Sequence, residues 1–312
     1  MKIAIDMMGG DFAPENTVDG VILAKNQLPE NVELILIGKK PQIQRLFHKK
    51  GVDHRDFNIV HAKDIVEMGE HPTKAIAKKP KSSIMVGYHL LKEGKVDAFV
   101  SAGNTGAMLV GAVFTIKTIQ GVIRPTVLTI VPKESGKFGV LADVGANADC
   151  KPDVLAQFGM LGSLYAMNIL KIKHPKVGLL NIGEEEQKGT LLSQAAFPLF
   201  KLNSNLNFIG NIEGRDLFNP KADVVVSDGF TGNIVMKILE SVYDILLKRG
   251  LMDEYFSKFN YEDVGGCPIL GVNGVVLVGH GNSSGLAIKN MIVRATEMIK
   301  TNIVKKISQA FK

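Results

Sequence analysis

The 312-residue chain is 46% hydrophobic and 22% charged, with a formal net charge of +6, no Trp and 6% aromatic residues; it can bury a large core, but it is too weakly basic and too poor in stacking rings for a nucleic-acid binder. Two cysteines, Cys150 and Cys267, make neither a disulfide framework nor a metal-ligand spacing, and no apolar run approaches the ~18 residues of a membrane span. The opening K-I-A-I-D is a strand pattern, unlike a charged-then-apolar leader, so a cytoplasmic location is expected.

Lys2–Asp6 predicts a strand, and M-M-G-G-D-F-A-P follows it, with Asp11 able to cap and Pro14 able to open a helix to about Leu28. Asp6 and Asp11 read as a loop carboxylate and a cap, since two carboxylates without further ligands do not make a metal site. Val32–Gly38 and Phe57–Ala62 are strands on either side of a helix near Pro41–Lys50, an alternation that predicts parallel strands with helical crossovers. His61, Glu67, Glu70 and His71 lack H-E-x-x-H spacing and read as loop residues. Between Lys39 and Lys95, 13 Lys and Arg stand against 6 Asp and Glu, which is either a solvated basic face or a docking patch for an acidic partner or anionic membrane. Lys78, Lys79 and Lys81 lie in its polar stretch His71–Ser83, after which Ser82 or Ser83 caps a helix to about Gly94.

The chain is organised around Val96–Val110, V-D-A-F-V-S-A-G-N-T-G-A-M-L-V, which reads as strand, glycine-flanked turn and helix. Gly103 and Gly106 let backbone N–H groups approach a ligand, Asn104 and Thr105 suit a cap, and a helix start favours an anion. An ordinary strand-to-helix turn has the same signature. Recurrence favours the phosphate or oxyanion cradle: Val224–Glu240, with Thr231, Gly232 and Asn233 in S-D-G-F-T-G-N, and Val275–Leu286, with His280 in G-H-G-N-S-S-G, repeat the pattern. Turns at strand carboxyl ends belong on one edge of a parallel sheet.

Between these, Thr126–Val131 and Phe138–Asp143 predict strands, the second opening into D-V-G-A-N-A-D with Asn147 before a helix from Pro152 to about Leu170. Lys176–Gly183 is a buried strand that delivers E-E-E-Q-K-G-T to a loop before a helix near Leu191–Leu202. In that loop Lys188 can offer a mobile ammonium to an anionic centre, or pair on the surface with Glu184–Glu186. Asn205–Ile212 is a strand, a helical excursion occupies 234–262, and a long helix runs from Ser283 to about Ala310. No repeat and no low-complexity linker divides the chain, so one compact α/β domain over 1–312 is expected.

G-H-G-N-S-S-G follows a strand but lacks the second β-α-β unit and ribose-binding acid of a dinucleotide site. Neither cysteine sits in a glycine turn beside a base, and no serine occupies a nucleophile elbow, so a covalent acyl-enzyme is not indicated. What remains is chemistry that holds anions on backbone and amide donors.

I-D-M-M-G-G-D, V-S-A-G-N-T-G-A, L-A-D-V-G-A-N, L-L-N-I-G-E-E, F-I-G-N-I-E-G-R-D, D-G-F-T-G-N and L-G-V-N-G together resemble phosphate:acyl-acyl-carrier-protein acyltransferases, the PlsX family, from Lys2 to the last helix. The resemblance implies a homodimeric three-layer α/β/α fold with a mostly parallel sheet, akin to isopropylmalate dehydrogenase and phosphotransacetylase. It implies attack of inorganic phosphate on the thioester of a fatty acyl carrier protein, giving acyl phosphate for phospholipid synthesis, with no organic cofactor and no metal. Lys188 and Asn233 then match the family's catalytic lysine and asparagine. Ser101, Gly103, Asn104, Thr105, Gly106, Asn147, Thr231, Gly232 and His280 become candidates for holding phosphate and substrate. Peripheral membrane contact and hand-over to a glycerol-3-phosphate acyltransferase are also implied, although the 234–262 excursion is shorter than a membrane-touching hairpin of this family. A phosphotransacetylase-like enzyme using acyl-coenzyme A, and a non-catalytic carrier- or lipid-binding protein, are the competing classes.

Overall fold

A computed structural model describes residues 1–312. Two compact units emerge, Met1–Ile119 with Tyr261–Val304, and Gln120–Asn260 with Lys305–Lys312. The second is inserted in the first, which is why no linker marks either: the first two crossings fall in short loops and the last inside a helix.

The first unit opens with β1 (Lys2–Asp6), α1 (Glu15–Gln27), β2 (Glu33–Gly38), α2 (Lys40–Lys49), β3 (Asn58–His61), α3 (Pro72–Lys78), α4 (Ser83–Lys92), β4 (Ala98–Ser101) and α5 (Thr105–Gly111). The second unit holds β5 (Thr126–Pro132), β6 (Phe138–Ala142), α6 (Pro152–Asn168), β7 (Lys176–Leu180), α7 (Leu191–Leu202), β8 (Asn207–Ile212), β9 (Val224–Val226), α8 (Gly229–Lys248) and α9 (Glu254–Ser257). The chain then returns through α10 (Tyr261–Val264), β10 (Cys267–Leu270), β11 (Val275–Val278) and α11 (Gly285–Lys300), and ends in α12 (Ile303–Ala310).

In the first unit the strand order is β3-β2-β1-β4-β11-β10, parallel except for β10 against β11. Ile3, Ala4 and Ile5 of β1 are at most 1% exposed, as an almost continuous apolar run requires when helices cover both faces of a sheet. The register Ser101↔Val278 brings the turns after β4 and β11 side by side, so two of the three cradles expected on one edge share it, while the third belongs to the other unit. In the second unit the order is β5-β6-β9-β7-β8, with β5 antiparallel to β6 and the rest parallel. Its core takes Leu155, Phe158, Leu161 and Tyr165 from α6, each no more than 2% exposed, and each such burial contributes roughly 1.5–3 kcal/mol.

Three local expectations differ from the structure. The polar stretch at His71–Ser83 contains α3, because Pro72 takes the first helical position, where its missing N–H costs nothing. The single helix expected from Ser283 to Ala310 is two, α11 and α12, divided where Asn302 adopts a φ of 53°, a left-handed residue of the kind that ends helices. Cys267–Leu270, unpredicted, is a strand paired with β11.

Candidate active site

In the first unit the carboxyl ends of β1 and β4 meet. Asp6 is 1% exposed and accepts hydrogen bonds from Ser101 Oγ at 2.7 Å and the Met8 amide at 2.9 Å. Burial pushes its carboxyl above the ordinary range, against the hydrogen bonds from Ser83, Ser101, Met8 and Gly9. Ser101 Oγ in turn accepts from the Gly103 amide at 3.0 Å. Asn104 caps α5, its Oδ1 accepting from the Ala107 amide at 2.9 Å, while Nδ2 donates to the carbonyls of Glu67, Met68 and Glu70. The Asn104 amide is therefore spent on joining the turn to the Glu67–Glu70 loop. Thr105 is exposed and Gly106 half-buried at the first turn of α5, and the His280 ring packs edge-on against Tyr261 with centroids 5.2 Å apart.

The second unit carries the corresponding edge of β6, β9 and β7. Asp143, after β6, is fully buried and accepts from the amides of Val127, Ala146 and Asn147 and from Asn147 Nδ2. Burial pushes its carboxyl up, opposed by these bonds. Asn147 Nδ2 also reaches the Pro125 carbonyl at 2.8 Å, and the Asn147 carbonyl accepts from the Gly229 amide at 2.8 Å, so Asn147 pins its turn to the start of α8. Asp228 caps α8, its Oδ1 accepting from the Thr231 amide at 2.7 Å. Gly232, in the same first turn, is buried against the Asp143 carbonyl with no room for a side chain.

Several donors at this edge are unspent. Ser227 Oγ is buried with no hydrogen-bond partner, which for a hydroxyl costs free energy unless a ligand supplies an acceptor. Asn233 is half-buried and its amide makes no hydrogen bond. It lies against Gly145, where a Cβ would stand 3.4 Å from Asn233 Oδ1 and where a φ of +127° already selects glycine. Ser227, Asp228 and Thr231 line a cavity of about 360 Å³ together with Asn181, Gly189 and Ser193, over apolar walls from Leu155, Leu179 and Leu192. That volume is at the small end for a ligand pocket, typically about 300–1,000 Å³.

Lys188 directly precedes Gly189 of this cavity. Its amide donates to the Glu185 carbonyl at 3.1 Å, and its carbonyl accepts from Asn181 Nδ2 at 3.1 Å. Glu185 is held from beneath by Asn211 Nδ2 at 2.9 Å. Gly189 has a φ of +91°, and a side chain there would collide with Asn181 Oδ1 and Ser193 Oγ. The Lys188 ammonium is exposed and makes no ion pair, while Glu184 pairs with Lys221 and Glu186 with Lys201, each at 2.7 Å. Two of the three glutamates that the sequence offered to Lys188 are thus taken by other lysines. Cys150 stands at the same edge, but burial first, with Asp143 and Asp228 adding, pushes its thiol up to about 12, so it supplies no thiolate nucleophile.

Lys188, Thr231, Gly232, Asn233 and Asn147 therefore belong to one unit's edge, and Ser101, Gly103, Asn104, Thr105, Gly106 and His280 to the other's. Asp143, Asn181, Ser227 and Asp228 were not singled out from the sequence. The D-V-G-A-N, L-N-I-G and S-D-G motifs that contain them carry the signal: polar residues at the ends of apolar strands.

The model of the family described as Fatty acid synthesis protein matches residues 1–248 and 243–306. The phosphate acyltransferase of Dictyoglomus turgidum is 41% identical over 326 aligned positions, covering 98% of this chain and 96% of that one. The phosphate acyltransferase of Halothermothrix orenii is 42% identical over 329 positions, covering 99% and 98%. Among solved structures, a phosphotransacetylase from Streptococcus pyogenes superposes with a TM-score of 0.64 at 21% identity, over 99% of this chain and 94% of that chain. The EutD phosphotransacetylase from Staphylococcus aureus gives 0.65 at 18% identity, over 96% and 94%. At these identities the solved structures speak for the fold, which is the α/β, phosphotransacetylase-like architecture expected from the sequence.

Proposed function

This chain belongs to the fatty acid synthesis protein family, alongside phosphate acyltransferases matched over nearly their whole length, and on that premise we propose that it moves a fatty acyl group from the thioester of acyl carrier protein to inorganic phosphate. The observation that carries the reading is the set of unspent donors at the second unit's edge: Ser227 Oγ and the Thr231 hydroxyl line a cavity with apolar walls, the Lys188 ammonium belongs to the residue before Gly189 of that cavity, and the Asn233 amide lies two residues past Thr231 in α8.

In this reading phosphate rests on the Ser227 and Thr231 hydroxyls and attacks the thioester carbonyl carbon. The new C–O bond forms as the C–S bond breaks. Asn233 Nδ2 donates to the carbonyl oxygen while it carries negative charge, a contribution of about 10²–10³ in rate for one such donor. The departing thiolate keeps the electron pair and takes a proton from Lys188, which also steadies the charge on phosphate. Asn147 and Gly232 hold the turn in place. Ser101, Gly103 and Asn104 do the same for the first unit's turn, where Thr105, Gly106 and His280 are the proposed substrate contacts.

A homodimer fits the same reading. Ile234, Ile238, Val242 and Ile245 of α8 are 42, 56, 44 and 52% exposed and recur at helical spacing, a face suited to a second copy. No helix is long and apolar enough to cross a membrane. A cytoplasmic enzyme that touches the membrane peripherally and passes acyl phosphate to a glycerol-3-phosphate acyltransferase for phospholipid synthesis completes the proposal. The two stretches matched by the family model overlap at residues 243–248, within the 234–262 excursion.

The test is release of free thiol from palmitoyl-acyl carrier protein with and without phosphate, following acyl phosphate as product. Phosphate-dependent release with that product is expected. Release only from palmitoyl-coenzyme A would replace the donor with the phosphotransacetylase type, and binding of acyl carrier protein without turnover would make the chain a carrier-binding protein.

A further inference from the structure

The three strands that carry the acyl-transfer edge have a second end. At the amino-terminal ends of β6, β9 and β7 a cavity of about 730 Å³ is lined by Lys133, Lys137, Lys171, Lys173 and Lys176 against a single carboxylate, Asp223. Each strand contributes in a way its register dictates. The β5–β6 hairpin hydrogen-bonds the Lys133 amide to the Lys137 carbonyl at 2.8 Å, setting both lysines at its mouth. Lys176 opens β7, and its amide donates to Asp223 Oδ2 at 2.8 Å. The loop between α6 and β7 adds Lys171, held in the left-handed region at a φ of 60°, and Lys173.

Most of this charge has no counter-charge. Lys133 is 4% exposed, and its ammonium donates to one carbonyl, that of Leu217 at 2.6 Å. Lys176 Nζ donates to the Pro220 carbonyl at 2.5 Å and Lys171 Nζ to the Asn168 carbonyl at 2.7 Å. The Lys137 and Lys173 ammonium groups make no ion pair or hydrogen bond within the chain. Asp223 is occupied by the β7 backbone. Burial pushes the Lys133 ammonium down to about 8, with Lys176 pushing the same way and Asp223 and Asp216 opposing, so the buried cation lacks the anion that would compensate it. Lysine stems converging on a concavity and presenting point charges are the chemistry of phosphate binding.

We infer that this cavity is a second ligand site, taking a small molecule with two or more phosphate groups, on the opposite end of the same strands from the acyl-transfer edge. A concave site of this size suits a small molecule better than a protein surface, which would need a broad, flat basic face. Orthophosphate, a substrate in the proposed reaction, carries only about two negative charges, which leaves most of the charge of Lys133, Lys137, Lys171, Lys173 and Lys176 uncompensated. At ~3.3 Å per residue the five residues of β7 separate the two ends by roughly 15 Å, so the ligand does not reach the cavity beside Lys188.

Calorimetric titration of the full chain with inorganic tripolyphosphate, and separately with orthophosphate, tests the inference. Expected is saturable tripolyphosphate binding that weakens as salt is added and falls about tenfold or more in the Lys137→Ala/Lys173→Ala double variant, while Lys188→Ala binds as the parent does. Both substituted lysines are exposed, and a urea melt checks that the variant is folded. In the unmodified protein, tripolyphosphate is expected to shield Lys137 and Lys173 from acetylation, read by mass spectrometry, so a misfolded variant leaves the question decidable. The inference is overturned if tripolyphosphate shows no saturable binding, if the folded double variant binds undiminished, or if Lys188→Ala abolishes binding. It is also overturned if the double variant loses affinity for acyl carrier protein alone, which would make the lysines a protein-docking surface.

Discussion

The turn after β4 and the turn after β9 share a vocabulary, V-S-A-G-N-T-G and V-S-D-G-F-T-G-N, and both lead into a helix capped by a side chain. In the first the cap is the asparagine itself, Asn104, whose Oδ1 closes the helix start and whose Nδ2 is taken by three carbonyls of a neighbouring loop. In the second the cap is an aspartate two residues after the strand, Asp228, which leaves Asn233 inside the helix with its amide uncommitted. The serines diverge likewise: Ser101 Oγ is bonded to Asp6 and the Gly103 amide, whereas Ser227 Oγ has no partner. Which residue caps the helix thus decides whether the turn's polar side chains are spent within the chain or left unbonded.

The strongest way to break this contrast is to remove the unspent donors. Asn233→Ala and Lys188→Ala are each expected to slow acyl phosphate formation by about 10²–10³ with an unchanged urea midpoint; a rate within threefold of the parent would put the chemistry elsewhere. Asn104→Ala should show the opposite profile. Loss of a cap and of a buried amide network is expected to cost about 1–3 kcal/mol in urea unfolding, with kcat changed far less than in Asn233→Ala. At the other end of the second unit's strands, stability should carry the mark of Lys133. Its folded value near 8 lies below the ordinary 10.5, so between those values the unfolded chain holds a proton that the folded one has released, and stability gains up to about 1.4 kcal/mol per pH unit with rising pH. Urea melts of Lys133→Met against the parent should therefore diverge in the parent's favour from about pH 8 to 10.5 and run parallel below about 8. The smallest effect sharpens the serine contrast: Ser227→Ala is expected to raise KM for phosphate a few-fold, about 1 kcal/mol, without loss of stability, since the removed hydroxyl has no partner in the free protein.

Much of the fold was legible because it is written in short-range pattern. The apolar runs at Lys2–Asp6, Val32–Gly38 and Lys176–Gly183 have the length and composition of buried strands, and the alternation with helices called for parallel pairing. The antiparallel pairing of β5 with β6 was not legible, because an apolar strand of five to seven residues looks the same whichever way its neighbour runs, and β10 escaped as an element altogether. α3 was hidden by a proline and a lysine-rich composition that resemble a loop, although the proline sits where a helix tolerates it best. At the site, the motifs announced the turns but not their occupancy. Asn104 is spent on carbonyls more than 30 residues away in sequence, and Lys201 and Lys221 take two of the glutamates beside Lys188. Those are facts of tertiary proximity, invisible to local spacing.

The insertion of one unit within the other also has a consequence for synthesis on the ribosome. β4 needs β11 as a neighbour, yet Ser101 and its partner Val278 are separated by the entire second unit. At roughly 5–20 residues per second the nascent chain carries β4 with one side unpaired for about 10–35 s, while the inserted unit has all of its strands in hand well before that wait ends. The inserted unit is accordingly the first whose sheet can be completed, and the exposed side of β4 is the place where a ribosome-bound chaperone has the most to shield.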